Sequence, residues 1–152
     1  MSGPVFQTIV VGTDGSDAAT GAVTRATELA VQVGARLLIV SAYEAVAEGR
    51  LSDPRVSVPP ELQWVVNPRA EVLAMLEAAA LQARGAGVKN VETVARQGDA
   101  ADAILDVAEE QRSDLIVVGN RGMTGAKRFL LGSVPNKISH HAPCSVLIVK
   151  TD

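Results

Sequence analysis

The feature that most constrains the fold is a short, uninterrupted apolar block, Leu115 to Val118, which ends at Gly119. A strand with one face in water alternates apolar and polar residues, whereas a strand covered on both faces of a parallel sheet is apolar throughout. The block Ile9 to Val11 has the same character. The sequence therefore predicts a parallel sheet with helices on both faces, in which these two blocks form the most deeply buried, central strands.

Helical and extended patterns alternate along the chain. With 47% hydrophobic and only 3% aromatic residues, the predicted core consists of Ala, Val, Leu and Ile. We predict one domain, residues 1–152, with a surface excursion at 44–66, and a doubly wound α/β fold whose five parallel strands have the order 3-2-1-4-5. The predicted strands are Phe6–Gly12, Leu37–Tyr43, Val91–Arg96, Leu115–Val118 and Ser145–Val149, and the predicted helices are about Ala18–Val33, Pro68–Arg84, Ala100–Gln111 and Val134–His141.

A glycine-punctuated basic loop follows the Leu115 block. Glycines allow close approach of the backbone to a ligand, and a helix N-terminus attracts anions. Ser133 occupies the position of an N-cap before Val134. Between Gly119 and His141 there is no acidic residue, while four basic ones occur: Arg121, Lys127, Arg128 and Lys137. This combination predicts a phosphate site, although glycines after a strand and a basic loop also occur as ordinary turn and surface features.

The spacing of these glycines resembles a known signature. Gly119-x-x-Gly122 is followed after nine residues by Gly132-Ser133, which resembles the ATP-binding branch of the universal stress protein family. The opening segment Ile9 to Ser16 and the closing segment Pro143 to Val149 also resemble that family, so the resemblance covers nearly the whole chain. Neither the common phosphate loop G-x-x-x-x-G-K-[ST] nor the dinucleotide motif G-x-G-x-x-G occurs.

The resemblance implies a Rossmann-like, adenine-nucleotide-binding site at the carboxyl ends of strands 1 and 4. It implies that adenine contacts the main chain at Ala42 and that Asp14 contacts the nucleotide, binding either ribose hydroxyls or a Mg²⁺ ion beside the phosphates. From the residues alone, Asp14 is equally well explained as a turn or cap residue. The implied nucleotide-binding residues are Thr13, Asp14, Ala42, Gly98, Gly119, Asn120, Arg121, Gly122, Gly132, Ser133 and Val134.

The expected ligand is ATP, or ADP or AMP, in a signalling or stress-response protein, with cyclic AMP as an alternative that the glycine spacing does not separate from ATP. A protein-interaction module without nucleotide is a further alternative. A phosphorelay receiver would need an acceptor Asp after strand 3, where Arg96-Gln97-Gly98 stands instead. The sequence shows no catalytic constellation, so we expect at most slow ATP hydrolysis.

The net charge of the chain, its hydropathy and its last strand indicate which binding partners to expect. A formal charge of −3 and a pI near 5.4 argue against nucleic acid as the main partner. No apolar stretch is long enough to span a membrane and no export signal begins the chain, so we expect a cytoplasmic protein without a membrane partner. The last strand would leave an apolar edge unpaired, which favours a homodimer through Val146, Leu147, Ile148 and Val149.

Overall fold

The computed structural model of the chain describes residues 5–43, 68–120 and 133–150. Strands and helices alternate through these ranges, as the sequence predicts. The elements are β1 (Thr8–Gly12), α1 (Asp17–Val33), β2 (Arg36–Tyr43), α2 (Pro68–Ala86), β3 (Val91–Gln97), α3 (Ala100–Glu110), β4 (Leu115–Gly119), α4 (Ser133–His141) and β5 (Ser145–Val149). None of the helices in these ranges is long and apolar enough to cross a membrane.

The five strands form one parallel sheet in the order β3-β2-β1-β4-β5, which confirms the predicted order. Val10 of β1 lies opposite Leu38 of β2 on one side and Ile116 of β4 on the other. The chain therefore winds outward from β1 through β2 to β3, returns across the sheet to β4 and ends at β5. This reversal places the carboxyl ends of β1 and β4 side by side, which is where doubly wound sheets bind ligands.

Two aliphatic core layers cover the two faces of the sheet. Ile9 and Val11 of β1 pack into the layer beneath α1 and α2, whereas Val10 packs into the layer beneath α3 and α4. All three side chains are fully buried. Successive side chains of a strand point to opposite faces, so a strand between two helix layers must be apolar at every position. This explains the uninterrupted apolar blocks of the sequence.

The helix ends follow from local side-chain chemistry. The hydroxyl of Ser16 accepts a hydrogen bond from the backbone N–H of Ala19 at 3.2 Å, so α1 begins at Asp17, one residue before the predicted start. The last residue of α1 is Val33, as the sequence predicts, and Gly34 follows it as the C-cap in the left-handed conformation, with φ 72°. Helix α2 continues to Ala86, beyond the predicted Arg84, and Gly87 follows it with φ 116°.

Two further predicted boundaries differ from the structure. Strand β1 begins at Thr8 rather than Phe6, and the carboxylate of Asp114 accepts the backbone N–H groups of Gln7 and Thr8 at this end of the strand, at 2.9 and 3.1 Å. Helix α4 includes Ser133, so this residue is the first of the helix and not its N-cap. The excursion 44–66 and the loop residues Arg121, Gly122 and Gly132 lie outside the described residues.

Gly119 is required by close packing as well as by its place in the motif. A Cβ atom built on Gly119 would lie 2.9 Å from the backbone oxygen of Ala18, at the start of α1. Real side chains do not approach a backbone oxygen this closely, so any larger residue would push β4 and α1 apart. The absence of a side chain at Gly119 thus sets how closely α1 crosses the end of β4.

We predict that Gly119→Ala lowers the free energy of unfolding by about 1–3 kcal/mol, since it overpacks a rigid backbone contact. Gly85→Ala is the matched control, because a Cβ on Gly85 in α2 meets nothing within 4 Å. The control should raise stability by about 0.5 kcal/mol, since alanine is the better helix former. Urea unfolding followed by circular dichroism measures both. Equal stabilities for the two variants would contradict the close-packing account.

Candidate functional site

A pocket opens at the carboxyl ends of β1, β2 and β4, where the winding of the sheet reverses. Five of the predicted nucleotide-binding residues line it: Thr13, Asp14, Ala42, Gly119 and Val134. The remaining lining residues are Gly12, Ala19, Val40, Ser41, Ala100, Ile104, Val118 and Pro135. The pocket therefore draws on three strand ends, on the first turns of α1 and α4, and on α3.

The turn after β1 presents Asp14 in a fixed conformation. The backbone N–H of Thr13 donates to the carbonyl of Val40 at 2.9 Å, which extends the β1–β2 pairing by one bond. Oδ1 of Asp14 accepts the N–H of Ser16 at 2.8 Å in an Asx turn, the structural role that the sequence allows for this residue. Oδ2 takes no hydrogen bond from the described residues. The half-buried carboxylate is thus held by one oxygen, while the other is available at the pocket.

The main chain of Ala42 projects past the end of β1. Along a strand, the peptide groups of alternate residues point to the same neighbouring strand. The carbonyl of Val40 faces β1, and that of Tyr43 faces the opposite way, accepting from Gly98 N–H at 2.9 Å. The N–H and C=O of Ala42 therefore face the β1 side, beyond the last β1–β2 bond. They offer one donor and one acceptor to a ligand in the pocket.

Three of the other predicted residues, Gly98, Asn120 and Ser133, do not line the pocket, unlike Gly119 and Val134. Gly119 and Val134 lie at the end of β4 and in the first turn of α4, against the pocket. Asn120 donates its backbone N–H to Val149 at 3.0 Å, so its main chain serves the β4–β5 pairing, and neither Asn120 nor Gly98 lines the pocket. Ser133 is exposed at the start of α4.

Gly98 instead adopts φ 119° in the turn before α3. It precedes Asp99, whose carboxylate caps that helix by accepting the N–H of Asp102 at 3.0 Å. A residue with a side chain rarely adopts this backbone conformation. Its glycine is therefore explained by the turn that leads to Ala100 in the pocket wall.

Lys137 is engaged by acids of another helix. Its Nζ lies 2.7 Å from Oδ1 of Asp102, in the first turn of α3, and 3.5 Å from Oδ2 of Asp99, the N-cap of that helix. The hydrogen bond with Asp102 raises the pKa of Lys137. The sequence places this lysine in a basic segment free of acids, but the fold supplies two carboxylates from elsewhere. Lys137 therefore does not contribute an unpaired positive charge to a phosphate site.

Sequence reasoning did not identify the apolar wall of the pocket. Ala19, Ile104 and Val118 belong to it, and each is buried. The sequence does contain one signal for this wall, which is position: Gly12 and Val118 lie at the ends of the two most buried apolar blocks. An apolar wall beside main-chain donors and acceptors suits a flat heterocyclic base. Among the described residues, no three His, Cys, Asp or Glu side chains come together as a metal site.

The fold and site define an α/β protein with a pocket at the switch point of its sheet. The sequence model of the universal stress protein family matches residues 6–150. The chain belongs to that family, which confirms the family membership that the sequence predicts.

Relatives match over nearly their whole length. Universal stress protein Rv1636 of Mycobacterium tuberculosis is 40% identical over 147 residues, covering 96% of this chain and 97% of that protein. A structure of a universal stress protein in complex with cAMP matches with a TM-score of 0.72 at 35% identity, covering 97% of this chain and 98% of that one. The universal stress protein of Archaeoglobus fulgidus in complex with dAMP matches with a TM-score of 0.67 at 25% identity, covering 96% and 99%.

Proposed function

We propose that this chain is an adenine-nucleotide-binding universal stress protein that serves signalling or the stress response in the cytoplasm. ATP is the leading ligand. The observation that carries the proposal is the convergence of Asp14, the Ala42 main chain, Gly119 and Val134 on one pocket in a member of this family. Residues 1–152 would act as one domain.

Each part of a nucleotide has a chemically suitable partner. The amino group and a ring nitrogen of adenine would bond to the C=O and N–H of Ala42. Oδ2 of Asp14 would accept from a ribose hydroxyl or bind Mg²⁺. The phosphates would approach the N-terminus of α4, where unpaired N–H groups and a partial positive charge favour anions. Gly122, Gly132 and Ser133 would line the ribose and phosphates, as the family signature implies, and Asn120 and Arg121 would also bind the nucleotide.

Cyclic AMP is the second candidate, and a specific similarity favours it. The structure in complex with cAMP is 35% identical to this chain, and the one in complex with dAMP is 25% identical. ATP, cyclic AMP and dAMP all contain adenine and at least one phosphate group. In each of them, the main chain of Ala42 would bind the adenine and the start of α4 would bind phosphate. The ligands differ in charge and in the number of phosphate groups, so direct affinities decide between them.

Calorimetry with ATP and with cyclic AMP tests the proposal. Val134→Trp would fill the pocket and should weaken nucleotide binding at least tenfold. The control, His140→Trp, places the same side chain on the last turn of α4, where His140 is exposed, and should leave the affinity unchanged. Absence of binding by the unmodified protein, for both ligands, would refute the proposal. If cyclic AMP binds more tightly than ATP, cyclic AMP becomes the leading ligand in place of ATP.

A second prediction concerns the cation. Asp14→Asn keeps an Oδ1 acceptor for Ser16 N–H but removes the charge. We expect it to weaken ATP binding about tenfold in magnesium and less in EDTA, since a carboxylate binds Mg²⁺ better than an amide does. Asp17→Asn is the control, because Asp17 lies in the first turn of α1 and outside the pocket lining. Equal losses for Asp14→Asn in both buffers would assign the carboxylate to ribose.

We also propose a homodimer through β5, which lies at the edge of the sheet. The carbonyl of Val149 accepts the N–H of Asn120, so the peptide groups of Val149 and Leu147 face β4. Those of Val146 and Ile148 alternate with them and therefore point away from the sheet. A two-fold axis at Leu147 would set Val146 opposite Ile148 of a second copy. Four hydrogen bonds would then join the two sheets, and Leu147, with 37% of its surface exposed, would lie at the centre.

Ile148→Pro tests the dimer with little damage to the sheet, since it removes an N–H that faces outward and not one that bonds to β4. The unmodified protein should sediment at twice the 15.8 kDa mass of the chain at micromolar concentration. Ile148→Pro should sediment as a monomer with an unchanged circular dichroism spectrum, and Ile148→Val as a dimer. A monomeric unmodified protein would contradict the proposed interface.

A further inference from the structure

Helix α4 presents its first turn to the pocket but has few buried anchors. Val134 and Pro135 line the pocket. Of its nine residues, all described, only Pro135 and Ile138 are buried. Ile138 is fully buried in the core layer that also contains Ile104 and Val107. These two anchors, three residues apart, lie along a single stripe of the helix, and the half-buried Val134 packs against the same core layer. The rotation of α4 about this stripe therefore also depends on the contacts that its exposed side chains make.

Lys137 supplies a contact to one side of this stripe. Successive residues of a helix point about 100° apart, so Lys137 leaves α4 well away from the direction of Ile138. Its ammonium group bridges Asp102 at 2.7 Å and Asp99 at 3.5 Å. Asp99 is also the N-cap of α3, and the next residue, Ala100, lines the pocket. The bridge therefore joins the middle of α4 to the start of α3, and both helices contribute residues to the pocket.

Small rotations of α4 would matter at the site. Backbone atoms lie about 2.3 Å from a helix axis, so a rotation of about 10–20° moves them by roughly 0.4–0.8 Å. Binding constellations tolerate about 0.5 Å of displacement. A contact that removes this freedom therefore affects binding, even where it adds little to the stability of the whole fold.

We propose that Lys137 is a positioning residue for the nucleotide site, acting through Asp99 and Asp102 to fix the orientation of α4 against α3. The proposal rests on the proposed nucleotide-binding function. Lys137 does not contact the ligand in this account. Its charge is used between the helices, and its effect reaches the ligand through the backbone of the first turn of α4.

The expected signature separates positioning from stability. The side chains of Lys137, Asp99 and Asp102 are 43%, 55% and 56% exposed, and exposed ion pairs add little to global stability. Loss of the bridge should therefore leave the melting temperature nearly unchanged while loosening α4 and weakening nucleotide binding. High salt should reproduce the effect, because it screens exposed charges.

The test compares Lys137→Met, which keeps the aliphatic stem, with Lys137→Arg, which keeps the charge. Lys89→Met is the control, since Lys89 is exposed at the opposite end of the sheet, before β3. The first readout, made without nucleotide, is amide hydrogen exchange of residues 137–142 by NMR. The second is calorimetry with ATP and cyclic AMP in low salt and in 1 M NaCl.

We expect Lys137→Met to speed exchange in α4 and to lower nucleotide affinity about three- to tenfold, with Lys137→Arg and Lys89→Met both near the unmodified protein. In 1 M NaCl the difference between Lys137→Met and the unmodified protein should disappear. Unchanged exchange in Lys137→Met, or unchanged affinity where the unmodified protein binds, would overturn the proposal. If the unmodified protein binds neither nucleotide, the proposed function fails, and the exchange data alone then decide whether Lys137 fixes α4.

Discussion

The parallel pairing of β1 with β4 is the contact on which the rest of the structure depends. It joins two strands that are 100 or more residues apart, as in the pair Ile9 and Leu115. At its amino end, the Asp114 carboxylate accepts the backbone N–H groups of Gln7 and Thr8 at 2.9 and 3.1 Å. At its carboxyl end, Gly119 permits the close approach of α1. This pairing reverses the winding of the chain and so creates the crevice that five of the predicted site residues line.

Much of this architecture could be predicted because the physical signal is local. A strand between two helix layers must be apolar at every position, so the blocks at Ile9 and Leu115 identify the central strands and thereby the strand order. The boundaries are less accurate where a distant group decides them. Strand β1 starts at Thr8, where the carboxylate of Asp114, far along the chain, accepts the N–H groups of Gln7 and Thr8. No pattern around Gln7 carries that information.

The site shows the same division between local and distant information. Residue types at strand ends predicted Asp14 and Gly119, both of which line the pocket. The fold decides which charged groups come together. The segment around Lys137 contains no acidic residue, so its sequence did not predict that carboxylates would pair with Lys137. Asp99 and Asp102 reach it from a helix more than thirty residues earlier in the chain. The N–H and C=O of Ala42 likewise face the β1 side because of the register of the strands. The side chains in the sequence do not reveal that register.

The proposed site for an adenine nucleotide lies at the carboxyl ends of β1, β2 and β4. Titration of ¹⁵N-labelled protein with ATP, followed by NMR, tests it most directly. Binding at this site should produce saturable shifts of the main-chain amides of Thr13, Ala42 and Gly119, while the resonances of Gly34 and Val88, at the opposite end of the sheet, should not shift. Saturable shifts confined to Gly34 and Val88, or no saturable shift at any of the five amides, would contradict it.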